Sequence, residues 1–255
     1  MAVNAVYWFS GTGNSYFVAR TISQRLGECV LSPIANLCSL PSRCERIGFV
    51  FPHYALGVPN LVRQKLEQTH FSINKNTYYF AVETYGGFKG NCLSQVRDTL
   101  AKKGAVLQYG TSIKMYANNV LHYDMDGDSA KLLEHAKQCT EVLAADVIEK
   151  KQNNISRTKH LQNFIYRAIT SSYPKTGLQF HVTQNCVACK QCAKLCPADN
   201  IEMQDGRPVF GDKCEQCVAC IQWCPQMAIQ WGDKTADRKR YHHPEVTARE
   251  LFRVP

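Results

Sequence analysis

Eight of the 13 cysteines lie between Cys186 and Cys224, in two runs of one pattern. The first run is Cys186-x2-Cys189-x2-Cys192-x3-Cys196 followed by Pro197; the second is Cys214-x2-Cys217-x2-Cys220-x3-Cys224 followed by Pro225. Three cysteines at this spacing share a tight loop and can hold three corners of an iron-sulfur cubane, while the fourth points away and reaches the other cubane. One cluster is therefore expected on Cys186, Cys189, Cys192 and Cys224, and the other on Cys214, Cys217, Cys220 and Cys196. Structural zinc also uses paired Cys-x-x-Cys units, but it has no use for a third cysteine, an x3 gap and a proline, twice over. Two [4Fe-4S] clusters are the expectation, held close together by the exchange of the fourth ligands.

The second chemistry-bearing segment is Ser10-Gly11-Thr12-Gly13-Asn14-Ser15, which directly follows an apolar run and opens a helical pattern. A small-residue turn at a helix N-terminus presents free backbone N–H groups and the positive end of the helix dipole, which together bind phosphate. Hydroxyls from Ser10, Thr12 and Ser15 add donors. A Walker loop requires Gly-Lys-Ser/Thr, and no lysine is present. A Rossmann fingerprint needs a small residue where this chain has Tyr16. What remains suits a single terminal phosphate.

The elements that must position these groups follow from periodicity. Over the first 150 residues, short apolar runs alternate with helical patterns, the signature of a parallel sheet wrapped by helices. Strands are expected at Asn4 to Phe9, Cys29 to Pro33, Arg46 to Phe51, Thr77 to Thr84 and Gln108 to Met115, and helices at Asn14 to Leu26, Pro59 to Gln68, Asn91 to Lys102 and Ser129 to Lys150. A basic helix is expected over Ile155 to Tyr173, with a break at Pro174 to Gly177. The cysteine module repeats internally, Cys186 to Ile201 against Cys214 to Ile229. The segments are thus residues 1–150, a basic helical linker at 151–177, the cysteine module at 178–232 and a basic tail at 233–255 of packed extended chain.

Residues Thr183 to Trp231 closely resemble the bacterial two-cluster ferredoxins, and the hydroxyl-rich loop resembles the FMN-phosphate loop of flavodoxins, a resemblance covering residues 1 to 150. The whole arrangement is similar to the fused flavodoxin-ferredoxin proteins of anaerobes. It implies an α/β fold: a flavodoxin-like doubly wound five-stranded parallel sheet, then a small α+β two-cluster ferredoxin domain. In that fold the flavin lies over the carboxyl ends of the strands, clamped by the loops after the third and fourth. Those loops contribute Pro52, His53, Tyr54 and Ala55, and then Thr84, Tyr85, Gly86, Gly87, Phe88, Gly90 and Asn91. Met115-Tyr116-Ala117-Asn118-Asn119 approaches from the far side. The acidic surface common in flavodoxins is missing, which bears on partner choice.

The formal charge of +9 is concentrated, with six basic residues and no acid from Lys150 to Lys175. Each oxidised cubane with its four thiolates carries about −2, so the excess compensates anionic cofactors. No helix-turn-helix, finger or stacking motif accompanies the charge, and nucleic acid is not an expected partner. No run approaches the roughly 18 apolar residues of a membrane span, and no signal sequence is seen. A cytoplasmic location is expected, with redox proteins as partners and an oligomer possible. Cys92 reads as a buried, inert thiol. Asp124, Asp126 and Asp128 read as caps of the following helix rather than a calcium loop. The function expected is electron transfer between FMN and the two clusters; the alternative is an FMN-dependent reductase of a small organic substrate, fed by the clusters through an open pocket lined by Tyr116, Asn118, Asn119 or His53.

Overall fold

A computed structural model of the chain describes residues 4–41, 43–71 and 76–252; the outermost residues of the first segment and of the tail lie outside them. In chain order the first part contains β1 (Asn4–Trp8), α1 (Asn14–Leu26), β2 (Cys29–Pro33), β3 (Arg46–Pro52), α2 (Asn60–Gln68), β4 (Tyr78–Tyr85), α3 (Cys92–Lys102), β5 (Leu107–Lys114) and α4 (Ala130–Ile148). The strands form one parallel sheet in the order β2-β1-β3-β4-β5. The order reverses after β1, so right-handed crossovers place α1 with α4 on one face and α2 with α3 on the other. This is the flavodoxin-like doubly wound sheet. β1, β3 and β4 are apolar and buried along nearly their whole length, as strands covered on both faces must be.

The segment after α4 departs from expectation. Residues 151–159 have no regular secondary structure, and the helix is confined to α5 (His160–Thr170) and the short α6 (Tyr173–Thr176). The reason lies in where the backbone groups go. Asn153 pairs with the open edge of β5: its N–H donates to Gln108 O, its Oδ1 accepts from Gly110 N–H and its Nδ2 donates to Gly110 O. Arg97 then takes the carbonyls of Ile155 and Ser156. Those contacts satisfy an exposed sheet edge and leave the stretch no helical bonds to make.

The cysteine module contains β6 (Phe180–Val182), α7 (Gln191–Leu195), β7 (Ile201–Gln204), β8 (Arg207–Phe210), α8 (Ala219–Gln222) and β9 (Ile229–Trp231). β6 pairs with β9 and β7 with β8, both antiparallel. The internal repeat is carried into the backbone. Ala188, Lys190 and Asp199 have left-handed φ, and so do their counterparts Gln216, Val218 and Met227. The tail ends in a helical turn at Ala248–Leu251, closed by reciprocal hydrogen bonds between Thr247 and Glu250. The apolar core of the first part runs on without a break into Cys217, Ala219, Trp223, Val246 and Leu251.

Candidate functional site

The carboxyl ends of β1, β3, β4 and β5 open on a cavity of about 400 Å3. Ser10, Gly11, Thr12, Asn14 and Ser15 form one wall, Pro52 to Ala55 a second, Thr84 to Phe88 a third and Met115 to Asn119 a fourth. The sequence-predicted residues thus come together, with three exceptions. Gly13 stands behind the wall, where a Cβ would meet His243 and Val246 at 3.1 Å. Gly90 backs onto the Leu56 backbone. Asn91 precedes α3 and is tied to Lys159 by bonds from Nδ2 to its carbonyl and from its N–H to Oδ1.

The glycine-hydroxyl loop is buried and internally ordered. Ser10 Oγ accepts from Gly13 N–H at 3.1 Å, and the Ser15 and Thr84 hydroxyls meet at 2.8 Å. Asn14 is held at both ends of its amide, donating to Tyr116 O and accepting from Tyr241 Oη. The first N–H groups of α1 have no intrahelical partner by geometry. The cavity is also lined by the aromatic residues Tyr54, Tyr85, Phe88, Tyr116, Tyr123 and Tyr173. Tyr54 belongs to a tight turn closed by reciprocal backbone bonds with Gly57, whose central residues Ala55 and Leu56 both have positive φ. Neither is glycine, so the turn stores strain of about 1 to 2 kcal/mol per residue beside the cavity.

Behind His53 lies a buried trio. Its Nδ1 is 3.5 Å from Cys92 Sγ and 3.8 Å from Glu83 Oε1. Burial lowers the His53 pKa to about 4 and raises that of Glu83 to about 7, and it also pushes the Cys92 thiol up. All three therefore favour their uncharged forms. Leu56 N–H donates to His53 Nε2 at 3.2 Å, which assigns the ring proton to Nδ1. With its proton there, Nδ1 faces Cys92 Sγ as a donor, while Glu83 Oε1, 3.8 Å away, is buried without a hydrogen-bond partner.

Two smaller cavities hold the eight cysteines. One is lined by Cys186, Cys189, Cys192 and Cys224, with Met203, Pro208 and Ile229 around them. The other is lined by Cys196, Cys214, Cys217 and Cys220, with Phe180, Ile201 and Phe210. These are the two exchanged sets of four. Backbone N–H groups of Asn200, Gln216 and Ala228 donate to the sulfurs of Cys196, Cys214 and Cys224, each at 3.3 Å. Burial raises the thiol pKa of Cys192 and Cys214 to about 11 and pushes Cys217 and Cys220 up as well. A cationic centre entering either set would favour the thiolates, as an iron-sulfur cubane or a zinc ion does.

Cys217 and Val218 line both the large cavity and the second cysteine cavity. The approach is close: a Cβ on Gly11 would lie 1.9 Å from Cys217 O. Trp223 Nε1 donates to Gly11 O at 2.9 Å and fixes the contact. Sequence reasoning missed His122, Tyr123, Tyr173, Gln216, Cys217 and Val218 as part of this wall. Their only local signal is the left-handed backbone at Gln216 and Val218, which the repeat shares at a site far from the cavity.

No family model matches the chain. Over 46 residues it is 41% identical to a component of the ion-translocating oxidoreductase complex of Methanosarcina acetivorans; the match covers 18% of this chain and 17% of that relative's length. Among solved structures, a flavodoxin 2 from Bacillus cereus aligns with 58% of this chain and 99% of its own, at 17% identity and a TM-score of 0.42. An FMN-dependent NADH-azoreductase from Bacillus anthracis aligns over 58% and 99% at 7% identity and a TM-score of 0.41. A rubredoxin:oxygen oxidoreductase from Desulfovibrio gigas aligns over 58% and 36% at 13% identity and a TM-score of 0.38. The fold itself rests on the strand order and the parallel register.

Proposed function

We propose that the chain is an electron-transfer protein in which FMN, in the cavity above the sheet, exchanges electrons with two [4Fe-4S] clusters on the exchanged cysteine sets. The observation that carries this reading is the wall shared by Cys217 and Val218. When bound, the flavin supplies a two-electron capacity and each cluster passes one electron at a time. Ser10, Thr12, Ser15 and the first turn of α1 hold the phosphate. Tyr54 and Tyr85 would pack against the ring, and backbone at Gly86 and Gly87 would be available to its polar edge. The protein groups bind, orient and exclude water, and no side chain need act as acid or base.

Part of the polar lining that a small substrate would meet is engaged within the chain, while the Asn118 and Asn119 amides, the Tyr116 hydroxyl and His53 Nδ1 keep further donor or acceptor capacity. Asn118 Nδ2 donates to Thr12 Oγ1, Asn119 Oδ1 accepts from Leu121 N–H, and Tyr116 Oη accepts from Gly127 N–H. His53 Nε2 accepts from Leu56 N–H. Anaerobically purified protein is expected to hold about eight irons and one flavin released as the monophosphate; zinc or FAD in their place rejects the corresponding half. After photoreduction of the flavin, the cluster absorbance should bleach at a rate independent of protein concentration. A rate that rises with concentration defeats the shared-wall path.

A further inference from the structure

Helix α5 is turned with its apolar side out. Leu161, Phe164, Ile165, Ala168 and Ile169 recur at the i, i+3, i+4, i+7, i+8 spacing of one continuous stripe, which in an ordinary surface helix faces the core. Here the opposite side is buried. Tyr166 is 1% exposed and donates to Val58 O, Gln95 Nε2 donates to Asn163 Oδ1, and Asn60 Nδ2 donates to Thr170 O. Leu161 and Phe164 are each 72% exposed, Ile169 43% and Ile165 38%.

Basic residues frame the stripe. Arg157 and Lys159 lead into the helix, Arg167 flanks the apolar face and Lys175 follows, and no acid occurs from residue 150 to 175. Lys150 and Lys151 are taken up by ion pairs with Glu45, Asp146 and Glu149, whereas the other four make none among the described residues. We propose that α5 docks the protein on an anionic membrane surface, with Leu161, Phe164, Ile165 and Ile169 entering the headgroup boundary and Arg157, Lys159, Arg167 and Lys175 meeting lipid phosphates. The charge decides the occupant. A second copy packed on this face by a two-fold axis would bring the same four unpaired cations against themselves. A partner protein needs a complementary surface of about 800 Å2, and one helix of 11 residues offers a ridge rather than a groove. A lipid surface accommodates an isolated apolar ridge and rewards the flanking cations. Docking through α5 does not depend on the flavin and cluster assignment.

The test is co-sedimentation of the full chain, purified anaerobically, with vesicles of phosphatidylcholine alone or mixed with phosphatidylglycerol. Retention is expected only by the mixed vesicles, with release by salt. Leu161→Glu combined with Phe164→Glu should abolish retention. Arg157→Gln with Lys159→Gln should lower the partition coefficient roughly twenty-five-fold, at about fivefold per charge. All four side chains are exposed, so both variants should keep the parent melting temperature. No retention by either vesicle, or equal retention by both, overturns the proposal. So does a dimer in solution that the glutamate pair converts to monomer, or capture by an acidic redox protein with none by vesicles.

Discussion

At Gly11 a single hydrogen atom separates two parts of the molecule. Any Cβ there would meet Cys217 O at 1.9 Å, and the obstacle is backbone, which cannot swing aside. Gly11→Ala should therefore destabilise by about 3 kcal/mol, the upper range of overpacking. Gly87→Ala, on the opposite wall with nothing within 4 Å, should stay within about 0.5 kcal/mol. Thermal melts of the pair check this, and equal effects would mean that Gly11 serves only its own loop. The buried trio makes a second prediction. The Glu83 carboxyl has a pKa of about 7 in the folded state against 4.5 ordinarily, so the folded state binds its proton more tightly. Its contribution is fully present below pH 4.5 and is lost as pH rises toward 7. His53, lowered from 6.5 to about 4, acts in the opposite sense and costs stability as pH falls through that window. In Glu83→Gln the first effect disappears and the second remains. Relative to the parent, the variant should gain stability as pH rises from 4.5 to 7, by up to about 1.4 kcal/mol per unit. Denaturant titrations across that range read the slope, and a reversed sign would mean that Glu83 is ionised beside a charged His53.

Among the elements, those whose signal is local were legible from sequence: the five strands, their helices, the glycine-hydroxyl loop before α1 and the repeated cysteine runs. Each depends on residues a few positions apart, and boundaries moved by a residue or two at most within the first 150 residues. What was not legible depends on distant partners. The expected helix from Ile155 starts only at His160 because Asn153 completes the edge of β5, and composition carries no trace of that pairing. Asp124 and Asp126 read as caps, yet they pair with Arg238 and Lys239 of the tail; the N-cap of α4 is Ser129, without a side-chain cap, and only Asp128 reaches the helix start, its Oδ1 accepting from Ala130 N–H. Asn153→Ala removes two hydrogen bonds to Gly110 and should cost about 1 to 3 kcal/mol. It also bares a strand edge, so light scattering on heating should rise earlier than in the parent. The exchange of fourth ligands is an element-scale claim too. If the proposed clusters are bound, Cys224→Ser should lower the iron content from about eight to about four by damaging the one assigned to Cys186, Cys189 and Cys192. Damage to the Cys214 set instead would reverse the assignment.

At the scale of the whole molecule, the tail decides whether two modules behave as one. His243 N–H donates to Thr12 O, the His243 ring stacks on Phe17, and Tyr241 Oη reaches Asn14. Arg20 pairs with Glu250 at 2.6 Å, and the Trp223 ring lies on His242 while its Nε1 holds Gly11. The strap therefore closes over the same loop that the proposed phosphate uses, and the cysteine module meets both through Trp223. A sheet domain and a cluster domain joined by a loose tether would unfold separately, the cluster part first when its iron is lost. With the sheet core running on into Cys217, Ala219 and Trp223, and a second apolar cluster tying Val120 and Leu121 to the cysteine module, unfolding should be a single transition in which sheet ellipticity, flavin fluorescence and cluster absorbance change together. Tyr241→Phe, which deletes one buried hydrogen bond, should lower that common transition by about 1 to 3 kcal/mol. Because the bond it removes orients Asn14, flavin should also be released more readily from the variant in the folded state. If the three probes separate in the parent, the tail is a cover rather than a strap, and electron exchange across the Cys217 wall would need a docking motion at each turnover.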